Sequence, residues 1–161
     1  MTVDLFNQNE VKAEWLHPTE FPSMKGRDVV AIDLETCDTE LKKRGPGWPR
    51  QAGMVIGIAI SSGDFTAYYP IAHEGGGNMD SEVVLKYIKE VCEDESIQKV
   101  FHNAQYDVGW LSVLNIEVKG YIHDTMISAA LLNENRYSFT LNSMVAEYLG
   151  EFKNESLLKA K

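Results

Sequence analysis

Apolar residues are arranged along this chain in two ways, as short runs and as helical repeats. The runs are rich in Val, Ile and aromatic residues and predict β-strands at 28–34, 54–62, 65–71, 99–101 and 121–122. The repeats predict helices from Asp80 or Ser81 to about Cys92, over 104–115, from Asp124 through Leu132, and over 141–149. The elements therefore follow the order β-β-β-α-β-α-β-α-α.

The connections between these elements predict the fold. A short turn at Gly63 and Asp64 joins the second and third strands, so the first three strands are expected to form an antiparallel meander. The strand–helix alternation that follows gives a mixed α/β sheet with helices packed against it. This order fits a ribonuclease-H-like architecture whose first strand is central. We expect residues 1–27 to be a lead-in arm anchored by Trp15, and residues 28–161 to be the domain.

Two carboxylates lie at the end of the first predicted strand. Asp33 and Glu35 are two residues apart, and alternate side chains of a strand point to the same face. Two like charges held this close repel each other, and one of them would take up a proton unless a cation lay between them. A hard divalent ion with oxygen ligands, Mg²⁺ or Mn²⁺, satisfies that requirement. The pair therefore predicts a metal site on the sheet.

A second polar cluster follows the fourth predicted strand. Asn103 and Asp107 are four residues apart, which places them one turn from each other on a helix. A helix that leaves a strand adjacent to the first one could bring Asp107 to Asp33 and Glu35. Asn103 could contact substrate, cap the helix, or do both. Asp124 precedes an apolar run, and we interpret it as the N-cap of the next helix rather than as a further ligand.

These clusters carry a resemblance to a known superfamily. DLET at 33–36 and HNAQYD at 102–107 resemble the first two motifs of the DEDD 3′–5′ exonucleases, and HDTMISAALL at 123–132 with LNSMVA at 141–146 resembles the same superfamily. The resemblance is nearest to the proofreading domain of phage-type family A DNA polymerases, with ribonuclease D as a relative. It covers roughly residues 28–150.

The resemblance implies a role for each matching residue. The implied catalytic and metal-binding residues are Asp33, Glu35 and Asp107, and the implied substrate contacts are Leu34, Thr36 and Asn103. The implied cofactors are two divalent ions, Mg²⁺ or Mn²⁺, which activate a water and stabilise the leaving oxygen. The implied reaction is hydrolysis of phosphodiesters at single-stranded or frayed DNA 3′ ends, with a polymerase domain C-terminal or on a separate chain.

One part of the family pattern has no match. The third motif is a Tyr or His followed four residues later by an Asp, which is the fourth metal ligand, and no such pair follows Leu149 before Lys161. We therefore expect the chain to be part of a longer polymerase and to be inactive or very slow by itself. A ribonuclease-D-like trimmer of RNA and a non-catalytic module that holds nucleic acid or a polymerase domain are the alternatives.

Composition narrows these expectations only slightly. The net charge of −9 over 161 residues argues against tight non-specific binding of nucleic acid, although a metal-loaded site still attracts phosphate locally. No apolar run approaches the ~20 residues that cross a bilayer, and the N-terminus has no secretory pattern. Two distant cysteines, Cys37 and Cys92, indicate free thiols in a reducing cytoplasm, that of the host if a phage encodes the protein.

The long loop at 37–53 leaves two further questions open. Its basic residues, Lys42, Lys43, Arg44 and Arg50, could contact the backbone of a nucleic acid or simply be solvated. Trp48 could stack on a base or pack the loop against the domain. His102 is expected to make a structural hydrogen bond, because the chemistry implied above uses metal-bound water.

Overall fold

The computed structural model describes residues 18–151. Its strands are β1 Val29–Cys37, β2 Met54–Ser62, β3 Phe65–Pro70, β4 Gln98–Phe101 and β5 Ile122–Asp124. Its α-helices are α1 Leu41–Arg44, α2 Ser81–Glu93, α3 Ala104–Val113, α4 Thr125–Leu132 and α5 Leu141–Leu149. Most of the predicted lead-in arm, including Trp15, lies outside the described residues.

The five strands form one mixed sheet in the order β3-β2-β1-β4-β5. β1, β2 and β3 pair antiparallel, which confirms the predicted meander. β4 pairs parallel to β1, and β5 pairs parallel to β4, as strands joined by helical crossovers do. The predicted central position of β1 is also confirmed, and it gives β1 neighbours on both sides.

β1 is longer than its sequence pattern predicted. The predicted strand ended at Leu34, but pairing with β2 continues to Cys37, which lies opposite Met54. The register shifts between Glu35 and Thr36, as at a β-bulge. Asp33 and Glu35 therefore lie within a paired strand rather than at its end, and their backbone is held by the sheet.

The core occupies the face of the sheet that α2 covers. Val30, Ile32 and Leu34 of β1 point into it, and they alternate with exposed residues, as a strand with one buried face requires. The apolar repeat of α2, formed by Val84, Ile88 and Val91, is buried, and Asp80 caps this helix by accepting hydrogen bonds from two backbone N–H groups. Apolar residues lie around most of the girth of α3, and Trp110 and Leu111 bury this helix in the core.

The opposite face of the sheet, here called the outward face, is more open. A cavity of about 240 Å³ lies there, between outward residues of β1 and β2 and Leu141 of α5. Several apolar residues of α4 and α5 are exposed, among them Ile127, Leu131 and Leu149. No helix within residues 18–151 has the length and apolar character needed to cross a membrane.

Candidate functional site

β1 presents Asp33 and Glu35 on the outward face of the sheet. Both side chains are exposed, and Leu34 between them points into the core with 6% of its surface exposed. Their cross-strand partners are small, Ala59 opposite Asp33 and Gly57 opposite Glu35. The predicted arrangement on one face is therefore present, and the two carboxylates are accessible from solvent.

Asp107 contacts the same strand from helix α3. It lies in the first turn of α3, only 3% of its surface is exposed, and its Oδ1 accepts a hydrogen bond of 2.9 Å from the Leu34 N–H. The pairing of β1 with β4 ends at Ala31, so this N–H is available to a side chain beyond the ladder. The contact attaches Asp107 to the main chain between Asp33 and Glu35. The structure thus places the Asp107 carboxylate against the main chain of the strand that carries Asp33 and Glu35.

Burial makes the charge on Asp107 unfavourable. Desolvation first, and then the charges of Asp33 and Asp124, raise the pKa of its carboxyl to about 7, although the hydrogen bond from the Leu34 N–H acts in the opposite direction. Within the described part of the chain, neither Glu35 nor Asp107 forms a salt bridge with Lys or Arg. A cation at this position would replace the proton that Asp107 otherwise holds near neutral pH.

The donor set fits a hard divalent cation. All three side chains offer carboxylate oxygens, which are the ligands that Mg²⁺ and Mn²⁺ prefer. Among residues 18–151, however, no three His, Cys, Asp or Glu side chains converge closely enough to share one ion. The charge of Asp33 acts on Asp107, and the charge of Glu35 acts on Tyr68.

Comparison with known proteins identifies the family. Residues 19–161 match the family model described as 3′-5′ exonuclease, the exonuclease domain of family A DNA polymerases. The chain belongs to this exonuclease family. The match includes all of the site residues described above.

Relatives of this exonuclease domain include polymerases of phages and bacteria. It is 35% identical over 156 residues to a DNA-directed DNA polymerase of Pseudomonas phage M6, covering 93% of this chain and 24% of that protein. It is 28% identical over 130 residues to DNA polymerase I of Pseudomonas aeruginosa, covering 76% of this chain and 13% of that protein. The chain thus spans a quarter or less of these relatives.

Solved structures share the fold of the exonuclease domain. Brucella melitensis NrnC with bound Mg²⁺ is similar with a TM-score of 0.60 and 24% identity, covering 84% of this chain and 61% of that one. Escherichia coli RNase D is similar with a TM-score of 0.59 and 23% identity, covering 84% and 31%. At these identities the likeness shows the fold, and it confirms the predicted ribonuclease-H-like architecture.

Asp124 has a larger structural role in the exonuclease domain than its sequence position indicated. Its carboxylate caps α4, as predicted, by accepting hydrogen bonds from the N–H groups of Met126 and Ile127. It also accepts bonds from the N–H groups of Asn103 and Ala104 at the start of α3. Burial acts to raise the pKa of Asp124, but these backbone bonds outweigh it and lower the pKa below its ordinary value.

Asn103 does not cap α3 with its side chain, so that part of the interpretation is wrong. Its backbone is left-handed, with φ at 69°, and among the described residues its side chain makes no capping bond. The carboxylate of Asp124 occupies the capping role because β5 lies beside β4, where α3 begins. The Asn103 side chain is exposed, and its contact with substrate stays a prediction.

Thr36 is linked to α3 by a hydrogen bond to Tyr106, a residue that was not among the predicted site residues. Its Oγ1 lies 2.7 Å from the Tyr106 hydroxyl, which also donates to Asp38 at 3.4 Å. Asp38 in turn accepts from the Gly47 N–H at 2.7 Å. The position of Tyr106 directly before Asp107 in the sequence was the signal that could have identified it. Leu34 lies in the core, so a nucleotide contact at that position would involve main-chain atoms.

The remaining sequence questions have local answers. Trp48 packs the loop against α3, since a Cβ at Gly109 would lie only 2.3 Å from its ring. His102 makes the expected structural bonds, to the Thr125 hydroxyl and the Phe139 carbonyl, each at 2.9 Å. Both cysteines are free thiols. The basic residues of the loop are exposed, and their contact with nucleic acid stays a prediction.

Proposed function

We propose that this exonuclease domain removes nucleotides from single-stranded or frayed DNA 3′ ends as the proofreading part of a family A DNA polymerase. The observation that carries the proposal is the hydrogen bond between Asp107 and the Leu34 N–H, because it attaches the buried carboxylate between Asp33 and Glu35. The polymerase relatives support the substrate and the polymerase partner, and the phage relative supports a location in the host cytoplasm.

We also propose that Asp33, Glu35 and Asp107 hold two Mg²⁺ or Mn²⁺ ions. Support comes from the carboxylate donor set, from the raised pKa of Asp107, and from the Mg²⁺ bound in NrnC, which has the same fold. When bound, such ions supply an activated water and stabilise the leaving 3′-oxygen. In this proposal Asp33 can bind an ion together with either of the other two ligands. Its charge acts on Asp107, and its side chain lies on the same face of β1 as Glu35.

The other predicted site residues would orient the end of the DNA. The exposed amide of Asn103 at the start of α3 can donate to a phosphate or a base. Thr36, fixed by Tyr106, and the main chain at Leu34 lie on either side of Glu35, where a terminal nucleotide would sit. Asp33 lines the cavity on the outward face, which gives a single strand access to this carboxylate.

The family's fourth ligand has no counterpart in these 161 residues, and we therefore propose that this domain trims very slowly unless a further carboxylate is supplied. A gel assay with a 3′-labelled oligonucleotide and Mg²⁺ tests this. Little or no trimming is expected, and robust trimming by these residues alone would contradict it.

Calorimetry with Mn²⁺ tests the metal site directly. Asp33→Ala is expected to lose most of the binding heat of the wild type, whereas Asp64→Ala is the matched control because Asp64 is 91% exposed and pairs with Arg27. Equal heats for Asp33→Ala and the wild type would rule out the proposed site.

A ribonuclease-D-like function is the second candidate, and the similarity of fold to RNase D favours it. The two candidates differ in the sugar of the substrate. DNA and RNA oligonucleotides of the same sequence, compared as competitors for the metal-loaded domain, are expected to show preference for DNA. Preference for RNA would favour the second candidate, and failure to bind either would favour a module that docks only to protein.

A further inference from the structure

The hydroxyl of Tyr68 lies over the cross-strand partner of Glu35 on the outward face. Tyr68 belongs to β3, opposite Ala59 of β2, but its side chain leans over the neighbouring Gly57: a Cβ built on Gly57 would lie 1.9 Å from the Tyr68 hydroxyl oxygen. Gly57 is the cross-strand partner of Glu35. Partners of this kind have Cβ atoms about 4.5–5.5 Å apart, so the hydroxyl is roughly 3–7 Å from the Glu35 Cβ. A glutamate carboxylate can reach a group at that distance.

His73 holds the Tyr68 hydroxyl in this place. The Nε2 atom of His73 is hydrogen-bonded to the hydroxyl oxygen, and the two rings pack edge to face. The side chain of Asn78 holds the main chain of His73. Its Oδ1 accepts from the backbone N–H of His73 at 2.7 Å, and its Nδ2 donates to the backbone carbonyl of His73 at 2.9 Å. The segment that follows β3 is thus built to present the imidazole to Tyr68.

The chemistry of Tyr68 and Glu35 limits the direction of a bond between them. A phenol keeps its single proton at neutral pH and can donate it, and a carboxylate can only accept. The hydroxyl proton is free for the Glu35 carboxylate when His73 donates from Nε2 to the hydroxyl oxygen, and this is the tautomer of His73 that the proposal requires.

We propose that Tyr68, held by His73, is a positioning residue that donates a hydrogen bond to Glu35 and fixes the side chain of this metal ligand. The role rests on the proposed function, in which Glu35 binds a divalent ion. Groups that orient a ligand in this way typically contribute about 10–100-fold to metal affinity. Gly57 is part of the arrangement, because any side chain there would displace the Tyr68 hydroxyl.

The first test measures the orientation of Glu35 without metal. Three-bond side-chain couplings by NMR report whether Glu35 has one χ1 rotamer or an average. Wild type and Tyr69→Phe are expected to show one rotamer, and Tyr68→Phe an average. Tyr69→Phe is the matched control, because Tyr69 is the adjacent residue, faces the core, and donates its hydroxyl to the Glu20 carbonyl. Couplings in Tyr68→Phe equal to those of the wild type would overturn the proposal.

The second test measures Mn²⁺ affinity by calorimetry. Tyr68→Phe and His73→Leu are expected to bind about tenfold more weakly than the wild type, Tyr69→Phe within about twofold, and His73→Gln in between because an amide N–H can still donate to the hydroxyl. Gly57→Ala is expected to match Tyr68→Phe although it keeps the hydroxyl. Affinity in Tyr68→Phe within twofold of wild type would overturn the role. A wild type without Mn²⁺ binding would contradict the proposed function instead, and the couplings would still decide the role of Tyr68.

Discussion

The outward face of β1 and the first turn of α3 supply the same chemical group to one site but hold it in opposite ways. Asp33 and Glu35 are exposed, so water stabilises their charges and their side chains can be oriented by neighbours. Asp107 is 3% exposed and accepts a main-chain hydrogen bond, so its position is fixed but its charge is costly. The strand thus contributes charge at low cost, and the helix contributes a carboxylate whose charge is unfavourable where it lies.

The largest expected effect is on catalysis, and it should be equal for both regions. Asp33→Asn and Asp107→Asn are each expected to lower metal-dependent release of nucleotide by about a thousandfold or more, because each removes an anionic ligand of the reacting centre. The measurement is single-turnover trimming of a 3′-labelled oligonucleotide by a polymerase that carries this domain. Asp64→Asn is the control. A tenfold or smaller loss in either variant would remove that residue from the centre.

Stability should separate the two regions. The folded pKa of Asp107, about 7, lies above its ordinary 3.8, so the folded state holds a proton that the unfolded state releases, and stability falls as pH rises from about 4 to about 7. Asp107→Asn removes this cost and is expected to stabilise the metal-free domain by up to about 4 kcal/mol at pH 8, and hardly at all at pH 4.

Urea unfolding at both pH values measures this difference. Asp64→Asn is expected to follow the wild type at both. A loss of stability for Asp107→Asn at pH 8 would show that the charged carboxylate is favourable where it lies, which contradicts the contrast between strand and helix. Mn²⁺ should have the converse effect and raise the melting temperature of the wild type more at pH 8 than at pH 5, because protons compete for the ligands.

Asp124 shows that partial burial alone does not make a carboxylate costly. Its four backbone donors lower its pKa, whereas Asp107 has fewer such donors and deeper burial. Asp124→Ala is expected to destabilise the domain by about 2–3 kcal/mol, since α3 and α4 lose one cap each. Thermal unfolding measures it, with Asp80→Ala, which uncaps α2 alone, as the comparison. An equal cost for both variants would mean that the double cap carries no extra stability.

The smallest expected effect concerns the link between the two regions. Thr36→Val removes the hydrogen bond to Tyr106 without a large change in shape and is expected to cost about 1 kcal/mol. Thr66→Val is the matched control, because it loses a bond to the Ser61 hydroxyl at an exposed position of the same sheet. A difference of less than a few tenths of a kcal/mol between these variants in urea unfolding would show that the link does not hold α3 to β1.

Much of this fold follows from the period of the apolar residues. The apolar stripe of α2 at i, i+4 and i+7 is a local property, and it predicted the buried face of that helix. The apolar run of β1 predicted the strand but not that only one of its faces is buried. The extension of β1 to Cys37 could not be predicted, because it depends on the partner that β2 offers at Met54.

The sequence predicts the members of the candidate site but not their physical state. The motif spacing predicted that Asp107 would lie near the strand that carries Asp33 and Glu35, but the burial of Asp107 depends on how α3 packs against the sheet. The second cap formed by Asp124 and the placement of Tyr68 beside Glu35 both arise from neighbouring strands that are distant in sequence. Such relations are set by tertiary register, which no local pattern contains.

The hydrogen bond from Leu34 to Asp107 has a practical consequence for spectroscopy. The amide proton of Leu34, in the backbone of β1, is directed at a carboxylate whose pKa is raised to about 7. Its chemical shift should follow the protonation of Asp107 in a titration and move again when an ion displaces the proton. The domain therefore carries an intrinsic label, and one resonance in a two-dimensional spectrum could be used to follow occupancy of its centre without any attached probe.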